Sequence, residues 1–506
     1  MSSAPALSQP IGAMRRRFLG VIGGQVRARV VVLLACFLAL DNADVGMIGA
    51  IAGKLEKALS LSNTELGLLA AIPSLVAAAA TVPLGVFTDR INRVRLIAAS
   101  TALWSVAMVL SALAHSFLAL LLTRMALGAA AAAAGPAVAS LVGDFFAPRE
   151  RARMYGMILS GELLGAGFGY VVSGEIASTL GWRAAFLVLA VPSLAIGVAL
   201  WRLLPEPARG GRGVLRPGAT TFVRGESASS PPAAEAGEDA PERSLVQRKV
   251  DESDIAPDEA LMLRQDPAHM DLWSATKAVL RVRSNVILII SSALGYFYLT
   301  GVETFGLVFF QARYHLSQSV ATLLLGLLGL GALVGVVAGG RLADGLVAHG
   351  RITGRILVGA ASSIAAAALF LPALLVRSLP FALPLYVIAA TAFSAREPAL
   401  DAARLDILHH RLWGRAEAVR TVLRRVMVAT APLVFGFVAD ELGSRRAASS
   451  SQHGFGAGAS ASGLHATFLI LIVTLLAGGI ITLRATATYP RDVASAVASE
   501  EAHVAC

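Results

Sequence analysis

Charged residues are scarce in this chain. Of its 506 residues only 15% are Asp, Glu, Lys or Arg, whereas 56% are hydrophobic, and the mean hydropathy is +0.68. Soluble domains carry about 25% charged residues, so this composition excludes a water-soluble globular protein. The composition predicts instead an all-α protein that crosses a membrane many times.

Cysteines and enzyme motifs are almost absent too. Cys36 lies in an apolar run and Cys506 is the last residue, which excludes a disulfide framework and a cysteine metal site. His409 and His410 stand beside arginines without a third metal ligand. The sequence has no Gly-x-x-x-x-Gly-Lys-Ser/Thr loop to bind ATP phosphates. We therefore predict no enzymatic activity, no cofactor and no metal.

The net charge of +10 is the one feature that suggests nucleic acid as a partner. The arginines, however, cluster in short connections between apolar runs rather than on an amphipathic domain. Positive residues in short loops are typical of the cytoplasmic side of membrane proteins. The charge therefore indicates topology, and we predict no binding to nucleic acid.

Long apolar runs recur along the whole sequence. A helix needs about 20 apolar residues to cross the hydrocarbon of a bilayer. The sequence therefore predicts twelve transmembrane helices in two six-helix bundles, separated by one polar interruption. The runs are 28–52, 66–88, 95–115, 117–143, 152–176, 183–204, 285–311, 318–340, 355–377, 380–399, 419–439 and 464–486.

The polar interruption divides the chain into predicted domains. Its Ser, Ala, Pro, Glu and Asp residues favour a largely disordered linker, with a helix-prone part at 257–280 along the membrane surface. A second low-complexity stretch, 444–463, is predicted to be a loop without packed structure. The predicted segments are an N-terminal segment without a cleavable signal peptide (1–27), a first bundle (28–204), the linker (205–284), a second bundle (285–486) and a tail (487–506).

Basic residues fix the predicted orientation. The even-numbered connections hold most of the arginines, among them Arg149, Arg151 and Arg153 after the fourth run. Because cytoplasmic loops carry the excess of Lys and Arg, these connections, the linker and both termini are predicted to face the cytoplasm. We expect a multi-pass protein of the cell membrane.

A tight group of glycine, acid and bases follows the second apolar run. It consists of Gly85, Asp89, Arg90, Arg93 and Arg95 in a sequence otherwise poor in charge. The connection between the two runs cannot lie in lipid, and its arginines predict that it faces the cytoplasm.

A weaker copy follows the eighth run, with Gly340, Arg341 and Asp344, but Gly345 stands where the first group has Arg90. Two six-helix halves carrying this motif resemble the major facilitator superfamily over nearly the whole chain. The resemblance implies a secondary transporter whose two bundles rock about a central site. It also predicts that both groups act as unequal cytoplasmic gates, with Asp89 stabilising the outward-open state.

Two further stretches resemble particular branches of that superfamily. Residues 120–128 and the glycine-rich residues 161–174 resemble the fourth and fifth helices of drug/proton antiporters. The spacing through these stretches also resembles that of the spinster-like transporters. Those proteins usually carry an acid-arginine pair where this chain has Asp41 and Asn42, and a glutamate where it has Ala131.

Charged residues inside the apolar runs form the candidate coupling site. Asp41 and Asp44 share one face of the first helix, and Arg124 lies near the depth of Asp44 at about 1.5 Å of rise per residue. An acid at the centre of a span costs about 2.5–3.5 kcal/mol, so we predict that the two acids bind a proton for which Arg124 competes. A purely structural ion pair is the alternative. Glu162, near the middle of the fifth helix, is predicted to be a second proton-binding carboxylate or a hydrogen-bonding group between close-packed helices.

Candidate substrate contacts lie on the fifth and seventh helices. Glu303 is predicted to contact substrate from the second half, with solvation near the outer surface as the alternative. Tyr170, Tyr298 and Phe305 are candidate cavity linings, with packing as their alternative. At the inner end of the tenth run we predict a cytoplasmic charge network rather than a substrate site, formed by Arg396, Glu397, Asp401, Arg404 and Asp406.

These observations predict proton-coupled export of a hydrophobic or amphipathic small molecule by alternating access. Uptake by symport, or a non-transporting receptor or scaffold on the same fold, are the alternatives, and costly intramembrane charge favours transport. The expected partners are the solute, protons and the lipid bilayer, and the resemblance implies a monomer. Substrate identity is left open.

Overall fold

In the computed structural model the described residues are 19–20, 22–132, 134–146, 148–207, 215–216, 218–219, 244–253, 255–263, 270, 272–409, 412–449 and 457–504. Within this part of the chain there are sixteen α-helices with both ends described and no β-strand, which confirms the all-α prediction. For residues 81–90 the description covers the backbone alone. Most of the predicted disordered linker, including 220–243, lies outside the described residues.

The first seven helices follow one another with short connections. They are α1 (Gln25–Leu59), α2 (Asn63–Arg90), α3 (Arg93–Ala112), α4 (Phe117–Ala131), α5 (Ala134–Phe145), α6 (Pro148–Leu180) and α7 (Trp182–Leu203).

The remaining nine helices follow the polar interruption. They are α8 (Leu245–Glu252), α9 (Leu272–Arg281), α10 (Arg283–Tyr314), α11 (Gln318–Ala348), α12 (Gly354–Leu375), α13 (Leu379–Asp406), α14 (Trp413–Ser449), α15 (Ala457–Leu471) and α16 (Val473–Val504).

The described residues contain eleven helical segments long and apolar enough to cross a membrane, and α4 is a shorter apolar helix. The predicted fourth span, 117–143, is divided into α4 and α5. The sequence of α5 has Pro136 in its first turn, where a missing N–H costs no helical hydrogen bond. The number of long apolar helices makes this a multi-pass membrane protein.

Two predicted irregular segments contain more helix than expected, and the predicted helix-prone stretch 257–280 contains less. The stretch 444–463 is helical up to Ser449 and again from Ala457, so the prediction of a loop without packed structure was wrong at both ends. The stretch 257–280 is helical only from Leu272 among its described residues. The short helix α8 within the linker buries Val246 and Val250, because a helix this short needs tertiary packing to be stable.

The predicted tail continues as helix. The helix α16 extends to Val504, well beyond the predicted span end at 486. Ser495 accepts a hydrogen bond from the backbone of Asp258 at 2.8 Å, and Ser499 accepts one from Leu263 at 3.1 Å. The end of the chain is thus packed against the linker residues before α9.

The chain forms two compact units. The first comprises residues 1–59 and 72–235, and the second comprises 60–71 and 236–506. The first turns of α2 therefore belong to the second unit, whereas the sequence assigned the whole helix to the first bundle.

Each unit has its own apolar core. In the first unit, Leu34 and Phe37 of α1 pack with Phe145 of α5 and Ile158 of α6. In the second, Leu400 of α13 and Tyr489 of α16 pack with the two valines of α8. In the first unit, glycines of α6 allow its close approach to α1.

Candidate functional site

A buried ion pair joins α1 to α4 in the first unit. The two terminal nitrogens of Arg124 donate to the two carboxylate oxygens of Asp44, both at 2.6 Å. The side chains of Arg124 and Asp44 are 2% and 3% exposed. This bidentate geometry is the strongest form of an arginine–carboxylate hydrogen bond. The structure thus brings together two of the four residues proposed from the sequence for proton coupling.

Asp41 lies one turn before Asp44 and borders a small cleft. The cleft is also lined by Thr101 and Trp104 of α3 and by Ala131 of α4. It has room for about one water molecule. The position at which spinster-like transporters usually have a glutamate, Ala131, therefore faces the same cleft as Asp41.

A glycine ladder on α6 lets α1 approach closely. A Cβ atom at Gly161, Gly165 or Gly169 would overlap the carbonyl oxygen of Ala35, Ala39 or Ala43, respectively. Glycines four residues apart form one stripe of a helix and allow backbone contact between membrane helices. The ladder explains the glycine-rich fifth run and fixes the part of α1 that carries Asp41 and Asp44.

Glu162 and Tyr170 lie on the same helix as the ladder, and both are half-buried. Glu162 follows Gly161 directly, so it stands beside the α1 contact. The backbone of Tyr170 lies close to α1, since a Cβ atom at Gly46 would lie 3.0 Å from the backbone nitrogen of Tyr170. Both residues therefore belong to the α1–α6 interface region, and their roles stay predictions.

The structure describes only some of the side chains in the first predicted gate group. Gly85, Asp89 and Arg90 lie on the part of α2 for which only the backbone is described. Arg93 is 1% exposed and is engaged within the first unit. Arg95 is exposed and borders an open groove with Trp201 of α7.

Arg93 is the centre of a network that the sequence analysis missed. It donates to Glu206 at 2.7 Å, to Ser140 at 2.7 Å and to Asp144. Glu206 also accepts from the backbone of Val94 at 2.9 Å. The Pro-Glu-Pro exit from α7 is therefore tied to the first turn of α3.

The second unit contains the equivalent ion pair. Arg355, on the first turn of α12, donates to Asp406 and, at 3.1 Å, to Asp344. The hydroxyl of Tyr489 also donates to Asp406, at 2.5 Å. Arg355 and Asp406 are 51 residues apart, as are Arg93 and Asp144. That equal spacing is what a duplicated six-helix unit would leave, and it is visible in the sequence.

The second gate group is more exposed to solvent than the Arg355–Asp406 pair that it contacts. The side chain of Asp344 is 57% exposed. Gly340 is half-buried, and a Cβ there would meet Pro398 at 3.9 Å, an ordinary contact. Asp344 therefore contributes to the Arg355 network from its exposed edge.

Two candidate cavity residues of the second unit lie in its packed interior. Tyr298 is 2% exposed and Phe305 is 0% exposed. The ring of Tyr298 lies 5.8 Å from that of Phe370 and 6.1 Å from that of Phe435. In this structure their surroundings are those of packing residues. Glu303 is half-buried.

Four arginines and two carboxylates form a further group, here named the arginine cluster. Arg396 donates to Glu397 at 2.6 Å, and Arg420 donates to Asp401 at 2.7 Å. Asp401 also lies 3.6 Å from a nitrogen of Arg404. The members are Arg396, Glu397, Asp401 and Arg404 of α13 and Arg420 and Arg424 of α14. Asp406, which the sequence grouped with them, pairs with Arg355 instead.

Metal binding finds no support in the part of the chain that the structure describes. No group of three or more His, Cys, Asp or Glu side chains in that part has an arrangement that could hold an ion.

Comparison with known proteins identifies related chains. A family model described as Major Facilitator Superfamily matches residues 33–432. A gallate transporter of Pseudomonas putida is 28% identical over 180 residues, which are 35% of this chain and 40% of that protein. Probable anion transporter 3, chloroplastic, of Arabidopsis thaliana is 32% identical over 177 residues, 35% of this chain and 34% of that protein. The matched segment thus spans less than half of these relatives.

A solved structure covers much more of the chain. It is a bacterial homolog to the human lysosomal transporter Spinster, in an inward-facing and occupied conformation. It superposes with a TM-score of 0.71 at 20% identity, over 92% of this chain and 98% of that chain. At this identity the likeness shows the fold, and it confirms the predicted two-bundle architecture.

Proposed function

Because the chain belongs to the Major Facilitator Superfamily, a family of membrane transporters, we propose that it exports a hydrophobic or amphipathic small molecule in exchange for protons. The observation that carries this proposal is the bidentate pair between Asp44 and Arg124, buried inside a bundle of membrane helices. Alternating access of a central site is the mechanism we propose.

The buried pair supports coupling because protonation cannot leave it unchanged. Adding a proton to Asp44 removes the negative charge that balances Arg124, and arginine does not lose its own proton. Removing the charge of one member of a buried ion pair costs several kcal/mol. Protonation of Asp44 therefore destabilises the present arrangement and favours a rearrangement around the pair. Such a link between proton and conformation is what a coupled transporter requires.

Asp41 supports a route for the proton. It borders a cleft large enough for a water molecule, and it lies on the same face of α1 as Asp44. Water in the cleft would carry a proton towards the pair. Glu162, on the neighbouring helix α6, is proposed as an additional carboxylate in this relay.

The substrate is proposed to be a small organic solute. The relative named for gallate supports a small organic molecule as cargo. We propose export rather than uptake, a monomer in the cell membrane, and cytoplasmic termini on the basis of the arginine-rich connections. The gate role of Asp89 is part of the same proposal.

The test has two steps. First, the compounds retained by cells with and without the protein are compared without a preselected target, which identifies a transported solute. Second, flux of that solute into or out of proteoliposomes is measured under an imposed pH gradient. We expect the gradient to drive the solute in the direction opposite to protons.

Two variants test whether each acid is required for the coupling. Asp44→Asn and Asp41→Asn are each expected to remove gradient-driven flux. Unchanged gradient-driven flux in Asp41→Asn would remove Asp41 from the coupling role. Movement of solute and protons in the same direction would replace export by symport, and gradient-independent flux in the wild type would refute proton coupling.

A further inference from the structure

The helix α9 lies outside the proposed transport site and has two different faces. Ala275 and Val279, one turn apart, are both 0% exposed. They belong to the apolar core of the second unit, which also contains Leu412 and Ala416. Residues four apart share one side of a helix. This inner face therefore holds α9 against the second unit.

The outer face of α9 is exposed and mixed in character. Its members are Trp273, Lys277, Leu280 and Arg281, all exposed. At about 100° per residue they fall within one arc of about 100°. Trp273, which is 77% exposed, and Leu280, which is 44% exposed, lie along one edge of this arc, and the two bases lie along the other. The outer face is therefore apolar along one edge and basic along the other.

The position of α9 is fixed by its junction with α10. Only Val282 separates the two helices, and its backbone is extended, with φ −72° and ψ 108°. The side-chain amide of Asn285 on α10 donates to the carbonyl oxygen of Val279 at 3.0 Å. This bond satisfies one of the last carbonyls of α9, which have no partner within their own helix. The end of α9 is thus held at the first turn of α10.

That first turn lies at the edge of the hydrocarbon. The helix α10 has 32 residues and is apolar enough to cross a membrane. At 1.5 Å per residue it is about 48 Å long, whereas the hydrocarbon is about 30 Å thick. The apolar run 286–290 follows directly after Asn285. The start of α10, and α9 with it, therefore lies at the depth of the lipid headgroups.

The charge at this junction is of one sign. Residues 272–283 contain three basic residues and no acid. The bases are Lys277, Arg281 and Arg283, and all three are exposed. Asp492 of α16, which accepts a hydrogen bond from the backbone of Ser284 at 2.9 Å, is only 5% exposed. Asp271, next to the helix in sequence, lies outside the described residues. The described surface of the junction is therefore basic.

We propose that the outer face of α9 binds anionic phospholipid headgroups of the membrane that α10 enters. Lys277 and Arg281 contact the phosphates, and Trp273 and Leu280 insert beside them at the boundary of the acyl chains. Tryptophan is enriched at membrane interfaces, and basic residues near a membrane surface attract anionic lipids. The proposal goes beyond the transport function and does not rest on it.

The arrangement of side chains favours lipid over a soluble partner. A helix that lies in the membrane interface combines Trp and Leu with Lys and Arg on its surface. Long basic side chains can lay their apolar stems along hydrocarbon while their charged ends reach the phosphates. Because α9 lies at headgroup depth, both kinds of contact are available without any movement of the second unit.

The fluorescence of Trp273 tests the proposal directly. Full-length protein is placed in nanodiscs that contain equal amounts of phosphatidylcholine and phosphatidylglycerol. Brominated acyl chains, which quench tryptophan, are carried by the anionic lipid in one preparation and by the zwitterionic lipid in the other. The signal of Trp273 is the difference between the wild type and Trp273→Phe.

We expect both brominated lipids to quench Trp273 and the anionic one to quench it more strongly. One basic residue near an anionic surface contributes about a fivefold factor to lipid binding. The expected enrichment of phosphatidylglycerol beside α9 is therefore at least about fivefold. Added salt should reduce it, because salt screens exposed charges.

The double variant Lys277→Gln with Arg281→Gln is expected to remove this preference. Its matched control is Arg351→Gln with Arg491→Gln, which removes the same charge from two exposed positions of the second unit outside α9 and should keep the preference. The exchange Lys277→Arg with Arg281→Lys retains the charge and should also keep it. That exchange separates loss of charge from a general effect of substituting these two positions.

Three outcomes would overturn the proposal. Absence of quenching by either lipid would show that the outer face is turned to water or to another partner. Equal quenching by the two lipids would leave a membrane contact without a headgroup preference. Equal loss of preference in the two Gln double variants would assign the effect to net charge rather than to α9. None of these outcomes bears on gradient-driven flux, so the transport proposal stands or falls separately.

Discussion

Arg124 and Asp44 form a two-hydrogen-bond pair across α1 and α4, with both distances 2.6 Å. Both side chains are almost fully enclosed. Desolvating two charges costs more than many ion pairs return, so a buried pair is weak support for a purely stabilising role. The variants below separate stability from coupling.

Asp44→Asn is expected to destabilise the protein by about 3–5 kcal/mol, because it removes one member of a buried ion pair. The measurement is the denaturation midpoint of the purified protein in detergent. Asp344→Asn is the control, because Asp344 also pairs with an arginine but is 57% exposed, and exposed pairs contribute about 0–1 kcal/mol. Equal effects of the two variants would contradict this account.

The double variant Asp44→Leu with Arg124→Leu is expected to recover the stability that Asp44→Asn loses. Replacing both members of a buried pair by apolar residues is often neutral or stabilising. Its gradient-driven flux is nevertheless expected to stay absent, since no titratable group is left at the pair. A double variant that is stable and still proton-coupled would show that the pair is structural.

Gly165→Ala is expected to destabilise the first unit by about 1–3 kcal/mol or more, the usual cost of overpacking, because the added methyl overlaps the carbonyl oxygen of Ala39. Gly167→Ala is the matched control two residues away. A Cβ atom at Gly167 meets nothing within 4 Å, and alanine favours helix over glycine by about 0.5–1 kcal/mol. The midpoint of thermal denaturation should be higher for Gly167→Ala than for Gly165→Ala, and the reverse order would refute the glycine ladder.

Asp440→Ala is expected to cost about 1–3 kcal/mol, because buried or partly buried donors lose their acceptor. Asp440 of α14 accepts from the backbone of Thr64 at 2.8 Å and from its hydroxyl at 2.6 Å, and from Asn63 Nδ2 at 2.7 Å. These contacts fix the first turn of α2 within the second unit. Glu441→Ala, at the next and exposed position, should change the denaturation midpoint little, and a comparable loss there would count against the interpretation.

Asp89→Asn is expected to change the balance of inward and outward states without changing which solute is transported. Asp344→Asn should have a smaller effect, since the second gate group has Gly345 in place of an arginine. Labelling of single cysteines, introduced in a chain without Cys36 and Cys506, measures the balance. Altered selectivity with an unaltered balance would contradict the gate hypothesis.

The sequence by itself determined the class and the approximate number of spans, and it predicted similar depths for Asp44 and Arg124. These follow from local properties, because a span needs about 20 apolar residues and each residue advances a helix by a fixed rise. The same arithmetic placed Arg124 near the depth of Asp44. The extension of α16 to Val504 was missed, because its polar last turns are stabilised by contacts with distant residues.

Only the tertiary structure decided which charges meet. The depth of a residue along a helix does not determine how that helix is rotated about its axis. The rotation is set by packing against neighbours far away in sequence. Packing therefore brought Arg93 into contact with Asp144 and Glu206. It also paired Asp406 with Arg355 and buried Arg396 against Gly295. Local chemistry determined that this chain enters a membrane, and long-range packing decided which of its embedded charges became partners.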